Sequence, residues 1–359
     1  MRRRRFTRLQ RFRVADARST HARPRVAALC FTFVLLATGC AQQPVGSQPQ
    51  SPAPGPMPEI DGSVPLPTGS AGSSAIDLSK IIPADPYGPP PGETWRGAFR
   101  IECDFSHMNY DDAIVFPGQP GRAHLHTYFG NTGADASSTA ESIATSGNST
   151  CEGGIANRSA YWVPAMIETG TGRPIAPTMI MTYYKTGFNP AISNADIQEI
   201  PPGLRMIAGD QTSDEPTMGA PEFSPERGTR RYFCKPSGAS DVSIPNCGGG
   251  EQLTMAVSFP QCWDGENLDS DDHKGHMTYP HNSNGCPGSH PVVLPHITFN
   301  IRYDVPEGTD TSSWRLSSDM YPDAEPAGYS GHGDFFNGWD PSAQEQWLAA
   351  CVTPGNSCG

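Results

Sequence analysis

Beyond residue 40 this chain has little positive charge. Only 15 of its 25 Lys and Arg lie there, against 36 of its 37 Asp and Glu, a formal charge near −21. A phosphate backbone or an anionic lipid surface calls for a basic face. The composition therefore argues against nucleic acid, leaves membrane contact to an N-terminal lipid anchor, and favours a neutral or cationic ligand or a bound cation. Two more absences narrow the class. No cysteine pair has C-x-x-C spacing, which argues against a zinc ribbon and a thioredoxin-like redox site. No long segment carries a 3.6-residue apolar period and no internal repeat is present, so the chain is neither mainly helical nor a repeat array.

Residues 1–40 read as a processing segment. Ten arginines between Arg2 and Arg25 precede the apolar run Val26–Gly39, which is too short to span a bilayer as a permanent helix. The run ends in L-A-T-G-C, which resembles a bacterial lipoprotein box with Cys40 as the lipidated residue. Residues 41–92 are rich in Pro, Gly and Ser, with 13 prolines between Ala41 and Pro91, and are expected to form a disordered tether. Residues 93–359 are expected to form one domain. Its eight cysteines, an even number in an exported chain, read as four disulfides with 105 possible connectivities. Spacing allows Cys234–Cys247 and Cys351–Cys358 to close short loops, and Cys262–Cys286 to staple the segment between them.

Short β-like runs recur at Phe99–Cys103, Ala160–Pro164, Thr178–Tyr184, Leu204–Ala208, Arg230–Cys234, Leu253–Phe259 and Val292–Val305. The last is the clearest: Ile297, Phe299, Ile301 and Tyr303 alternate with Thr298, Asn300, Arg302 and Asp304. One helix is expected near the C-terminus, with Asp340 as N-cap and Pro341 at N1. The predicted fold is mainly β: a single antiparallel β-sandwich or jelly-roll-like domain, with long loops carrying the site.

Chemistry-bearing residues concentrate between Cys262 and His296, which holds five of the ten histidines (His273, His276, His281, His290 and His296) and four aspartates. Asp-rich loops bind calcium through oxygen alone, whereas interleaved histidines favour a transition metal or acid/base chemistry. His124 and His126, two apart, would project from one face of a strand onto a single ion. Their spacing from Gly118 matches the opening of the cupin metal motif, but Gly130 or Asn131 stands where a glutamate should follow. A further group, Gly331-His332-Gly333-Asp334, sits among aromatics. Isolated His107, His281 and His296 read individually as exposed or hydrogen-bonded groups.

Several blocks occur in one order: Ser106-His107, I-V-F-P-G, H-L-H-T-Y-F-G-N, S-A-Y-W-V-P, L-R-M-I-A-G, F-P-Q-C-W-D-G-E-N-L-D-S-D-D-H-K-G-H-M-T-Y-P, C-P-G-S-H-P-V and G-H-G-D-F-F-N-G-W-D. In this order they resemble the DUF1996 family, secreted bacterial and fungal proteins whose domain has no assigned reaction. The resemblance spans Phe99 to Asp340. Sugar- or wall-binding modules joined to some fungal relatives imply a polysaccharide setting.

The expectation is an exported, lipid-anchored protein at the cell membrane's outer face or in the periplasm, cleaving envelope or extracellular polysaccharide as a hydrolase or lyase. Asp264, Asp272, His273, His290 and Asp334 are the candidate catalytic residues. His124, His126, His276 and His332 are candidate ligands for a divalent metal. Trp263, Tyr128, Asn337 and Trp339 are candidate contacts to a glycan. The alternative is a non-catalytic, lectin-like glycan binder or a metal-binding envelope protein.

Overall fold

Alternating apolar and polar residues build the strands. The structure, a computed structural model, describes residues 56–83, 86–216, 229–281 and 284–359. Nine strands carry the architecture: β1 (Ala98–Asn109), β2 (His126–Gly130), β3 (Ala160–Pro164), β4 (Met179–Lys185), β5 (Arg205–Gly209), β6 (Arg230–Lys235), β7 (Gln252–Ser258), β8 (His296–Asp304) and β9 (His332–Phe336). In β8, Ile297, Phe299, Ile301 and Tyr303 are fully buried, while Asn300, Arg302 and Asp304 are open to solvent to varying degrees. Each such apolar side chain contributes about 1.5–3 kcal/mol on burial.

β1 serves two sheets. Its first half, Ala98–Asp104, pairs with β4, and its second half, Phe105–Asn109, pairs with β2, with a register shift between Phe105 and His107. The first sheet has the order β5-β9-β3-β2-β1 and the second β1-β4-β8-β7-β6. All these pairings are antiparallel. The sheets face each other as a sandwich. Tyr161 of β3 lies 5.5 Å from Phe299 of β8, and a Cβ on Gly333 of β9 would sit 3.2 Å from Phe299 and 3.3 Å from Phe259. The period of two then fixes the site: Gly333 and Phe335 point into the sandwich, so His332 and Asp334 point out from the first sheet.

The expected C-terminal helix is present. Helix α2 (Pro341–Trp347) follows Asp340, whose side chain accepts from the Ala343 amide at 3.0 Å. It is preceded in the chain by α1 (Ala140–Thr145), which the sequence pattern does not reveal. Trp347 stacks on Phe99 at 4.8 Å. The Tyr184 hydroxyl meets the Tyr161 hydroxyl at 2.8 Å and accepts from Trp339 Nε1 at 3.0 Å, so the buried polar ends are satisfied.

Four disulfides close the domain: Cys103–Cys151, Cys234–Cys247, Cys262–Cys286 and Cys351–Cys358. They mark a protein of an oxidising, extracytoplasmic environment. Cys40 and residues 41–55 of the expected tether lie outside the described residues. Its later part is no free tether. The Gly69 amide donates to Ser106 O at 2.8 Å, the Asp77 amide to Gly153 O at 3.2 Å, and Ile81 is only 2 % exposed. Between Gly69 and Ile82 no proline interrupts the chain, so its amides are free to pair with the sheet edge.

Candidate functional site

The outer face of the first sheet carries the densest cluster of ionisable groups. His124 stands two residues before the first residue of β2, His126 opens that strand, and His332 opens β9, two strands away across β3. The three rings converge: their centroids are 4.2 Å apart for His124 and His126, 5.0 Å for His124 and His332, and 5.8 Å for His126 and His332. One ring nitrogen from each lies within 4.8 Å of the others. The i, i+2 spacing of His124 and His126 thus places both on one face, as expected.

Backbone carbonyls orient two of the rings. His126 Nδ1 donates to Asp111 O at 2.9 Å and His332 Nδ1 to Ser330 O at 2.8 Å. These bonds fix the tautomer and turn the Nε2 lone pairs toward the cluster, the arrangement that prepares imidazoles to ligate a metal. His124 Nε2 and His126 Nε2 are buried without a hydrogen-bond partner. Burial holds His126 down to about 4 and His332 down to about 3, and lowers His124 well below the ordinary histidine value. The nearby imidazoles add to this for His124 and His332.

Asp334 stands beside them. Its Oδ2 is 3.8 Å from His332 Nε2, the residue is 1 % exposed, and Oδ2 has no hydrogen-bond partner. Burial, then the neighbouring Asp112, pushes its pKa well up. Asp112 is also buried, and its Oδ1 accepts from the amides of Ile114 and Val115, both at 2.8 Å. A cavity of roughly 220 Å³ opens onto His332 and Asp334, with Asp112, Asp210, Asp272 and Lys274 around it. Lys274 Nζ donates to Gly209 O at 2.9 Å, which holds this cation at the rim.

The cysteine-stapled segment supplies one wall of that cavity. Asp272 Oδ1 accepts from Ser270 Oγ at 2.7 Å and from the Gly275 amide at 2.7 Å; these bonds hold its pKa far below the usual carboxylate range. His273, in the left-handed region at φ 60°, places Nδ1 3.0 Å from Asp269 Oδ1, and Asp269 also pairs with Arg205 at 3.1 Å. Asp272, His273, Asp334 and His332 are therefore brought together, with His124 and His126 adjoining.

Other expected residues stand elsewhere. His276 is 1 % exposed with both ring nitrogens engaged, Nε2 on Arg205 O at 2.7 Å and Nδ1 on Ser270 Oγ at 2.9 Å. It holds the loop to β5. His290 likewise bonds Gly275 O at 2.9 Å and Ser289 Oγ at 3.0 Å. Asp264 Oδ1 accepts the Glu266 and Asn267 amides, both at 2.9 Å, and so shapes a turn. Tyr128 is buried, stacks 4.8 Å from His107 and donates to Asp111 O at 2.7 Å. Asn337 donates to Ile200 O and Pro201 O at 3.0 Å, and Trp339 belongs to the aromatic core. Trp263 donates Nε1 to Asn267 O at 2.6 Å at the edge of the core. None of these four offers an open ring face or amide to the cavity. Asp112 belongs to a further sequence group, Ser106-His107 followed by Asn109-Tyr110-Asp111-Asp112, whereas Asp210 and Lys274 carry no signal in the sequence.

Fold and site together define an exported, disulfide-stapled β-sandwich with a three-histidine cluster on one outer face. The family described as a domain of unknown function, DUF1996, matches residues 112–339, and the chain belongs to it. No curated protein and no solved structure matches the chain.

Proposed function

We propose that this chain is a lipid-anchored, metal-dependent enzyme that cleaves envelope or extracellular polysaccharide as a hydrolase or lyase. The observation that carries the reading is the convergence of three carbonyl-oriented imidazoles with a buried carboxylate oxygen that has no partner. A polar atom kept buried and unpaired costs stability, and such sites are retained where a ligand or a reaction uses them. His124, His126 and His332 would hold the ion, a three-nitrogen set that leaves a position open. A bound divalent ion would polarise a substrate oxygen or acidify a water.

Asp334 Oδ2 is placed to accept or return a proton at the reacting group. Asp112 keeps a second carboxylate beside it, and Lys274 at the rim counters an anionic substrate oxygen. Asp272, tied to its own loop, orients His273 and Lys274 by fixing the turn between them. The cavity, roughly 220 Å³, is smaller than most ligand clefts (about 300–1,000 Å³), so one small group enters it rather than a length of chain. Its acceptor-rich lining suits sugar hydroxyls. The lipid anchor rests on the L-A-T-G-C sequence at Cys40 together with the oxidised cysteines of the domain.

Elemental analysis of the purified protein after loading with zinc, copper or manganese, then dialysis, tests the centre. One equivalent of a single metal is expected in the native chain and almost none in His124→Ala/His126→Ala. No stoichiometric metal would remove the metal-dependent reading. Assay of reducing ends and unsaturated products from a polysaccharide panel tests the reaction, and tight sugar binding without product would make the protein a lectin-like binder.

A further inference from the structure

Two of the three clustered imidazoles are oriented by backbone carbonyls, so whatever fixes those carbonyls fixes the cluster. For His332 the carbonyl is that of Ser330, which accepts from Nδ1 at 2.8 Å. Ser330 ends a turn that leads from Gly328 into β9, and the turn is fastened to Asp319. That carboxylate is fully buried. Its Oδ1 accepts from Ser330 Oγ at 2.6 Å and from the Ser330 amide at 3.4 Å, and its Oδ2 accepts from the Gly328 amide at 2.8 Å. The Leu316 amide adds a bond to Oδ2 at 3.0 Å and the Tyr321 hydroxyl one to Oδ1 at 2.9 Å. Five uncharged donors thus converge on one buried anion.

The turn is held from its other side as well. Tyr232, on β6 of the second sheet, donates its hydroxyl to Gly328 O at 2.8 Å. Gly328 has φ 97°, and a Cβ there would lie 2.9 Å from the Tyr232 ring, so the backbone cannot move that way. Ser318 Oγ meets Ser330 Oγ at 2.7 Å and approaches Ser330 O at 3.4 Å. Ser330 is therefore fixed at its amide, its hydroxyl and its carbonyl together.

A carboxylate is a costly way to cap a turn. Asn or Ser caps turns without charge, whereas a buried anion outside any ion pair carries a large desolvation penalty. Among the described residues no Lys, Arg or His pairs with Asp319. What the charge adds is stiffness, since hydrogen bonds to an ionised acceptor are shorter and roughly twice as strong as neutral ones. Asp319 does not line the cavity beside His332, so it acts through Ser330 and not on a ligand.

We infer that Asp319 is a positioning residue for the histidine cluster: through Ser330 it keeps the hydrogen of His332 on Nδ1 and turns the Nε2 lone pair toward His124 and His126. His126 is held by a separate route, because its carbonyl belongs to Asp111 and also accepts from the Tyr128 hydroxyl at 2.7 Å. Loss of Asp319 therefore reaches His332 and spares His126. The tautomer is a property of the metal-free chain; only the consequence for metal affinity rests on the proposed centre.

Long-range proton–nitrogen correlation spectra of metal-free, histidine-labelled protein at neutral pH test the inference, with His332→Gln and His126→Gln supplying the assignments. The native chain should show His332 as a single tautomer protonated on Nδ1. Asp319→Asn and the milder Ser330→Ala should show a tautomer mixture or a broadened His332 ring, with His126 unchanged. Ile301→Ala, which removes core volume from β8, should lose stability and leave both rings as they are. In metal titration Asp319→Asn should keep the stoichiometry and bind about 10–100-fold more weakly, the usual effect of removing a partner that orients a ligating histidine. A native chain that takes up no metal would remove the proposed centre, and the spectra would still decide the role of Asp319. An unchanged, sharp His332 signal in folded Asp319→Asn or Ser330→Ala, or the same disturbance in Ile301→Ala, would overturn the inference.

Discussion

At the scale of single residues, Asp334 is the group whose placement makes least sense without a ligand. It is 1 % exposed and Oδ2 has no donor, so the folded chain carries an uncompensated desolvation cost. Asp334→Asn removes a carboxylate of the same shape. In metal-free protein this exchange should raise Tm by a few degrees while turnover falls by about 10²–10⁴, the usual contribution of a positioned acid or base. Such a trade of stability for function is the pattern of a working site; a Tm that drops in Asp334→Asn would assign the carboxylate a structural role. His276 makes the opposite case. Its ring bridges Arg205 O and Ser270 Oγ, so His276→Ala should cost about 1–3 kcal/mol in urea unfolding and leave metal stoichiometry unchanged.

At the scale of elements, β9 couples the core to the site. Gly333 faces inward, where a Cβ would already meet Phe299, Phe259 and Val257 at 3.2–3.3 Å, while its neighbours His332 and Asp334 face outward. Gly333→Val should therefore destabilise by about 1–3 kcal/mol through overpacking, and by shifting the strand should weaken metal binding as well. Unfolding midpoints and metal titration of the same preparation check both parts. The strand itself was not legible in the sequence: G-H-G-D reads as a loop because two of its residues are glycine and its outward residues are ionisable. β8 was legible because its inward residues are all large and apolar. The α2 start was legible because Asp340 and Pro341 satisfy local backbone rules with no help from the rest of the fold. His276 read as a metal ligand and His290 as a catalytic residue from their place in the His- and Asp-rich segment alone, and only the carbonyls brought to their rings show otherwise. Gly130, standing where a cupin glutamate would fall, has φ 77° and a Cβ position 2.2 Å from Ser159 O, so backbone geometry excludes the side chain there.

At the scale of the whole molecule, buried histidines set how the fold responds to acid. His296 is 7 % exposed, and burial first, then the nearby Lys185, holds its pKa well below 6.5. Phe188 packs edge-on at 5.6 Å and offers no counter-charge. In the unfolded chain this imidazole takes up a proton as pH falls through about 6.5, while in the folded chain it stays neutral. The unfolded state then binds more protons, so stability is complete above pH 6.5 and is lost progressively as pH falls toward the depressed folded value. For His296 alone the loss is on the order of 1 kcal/mol for a full pH unit below 6.5. Exposed carboxylates whose pKa is lowered, such as Glu251 and Asp310, act only at more acidic pH, while buried Asp334, whose pKa is raised, acts with the opposite sign to the histidines, so the imidazole is isolated by comparing the native chain with His296→Gln. From pH 7.5 to 5.5 the urea midpoint of metal-free protein should move toward lower urea more in the native chain than in His296→Gln. Equal changes in the two proteins would show that His296 takes up its proton in the folded chain as readily as in the unfolded one.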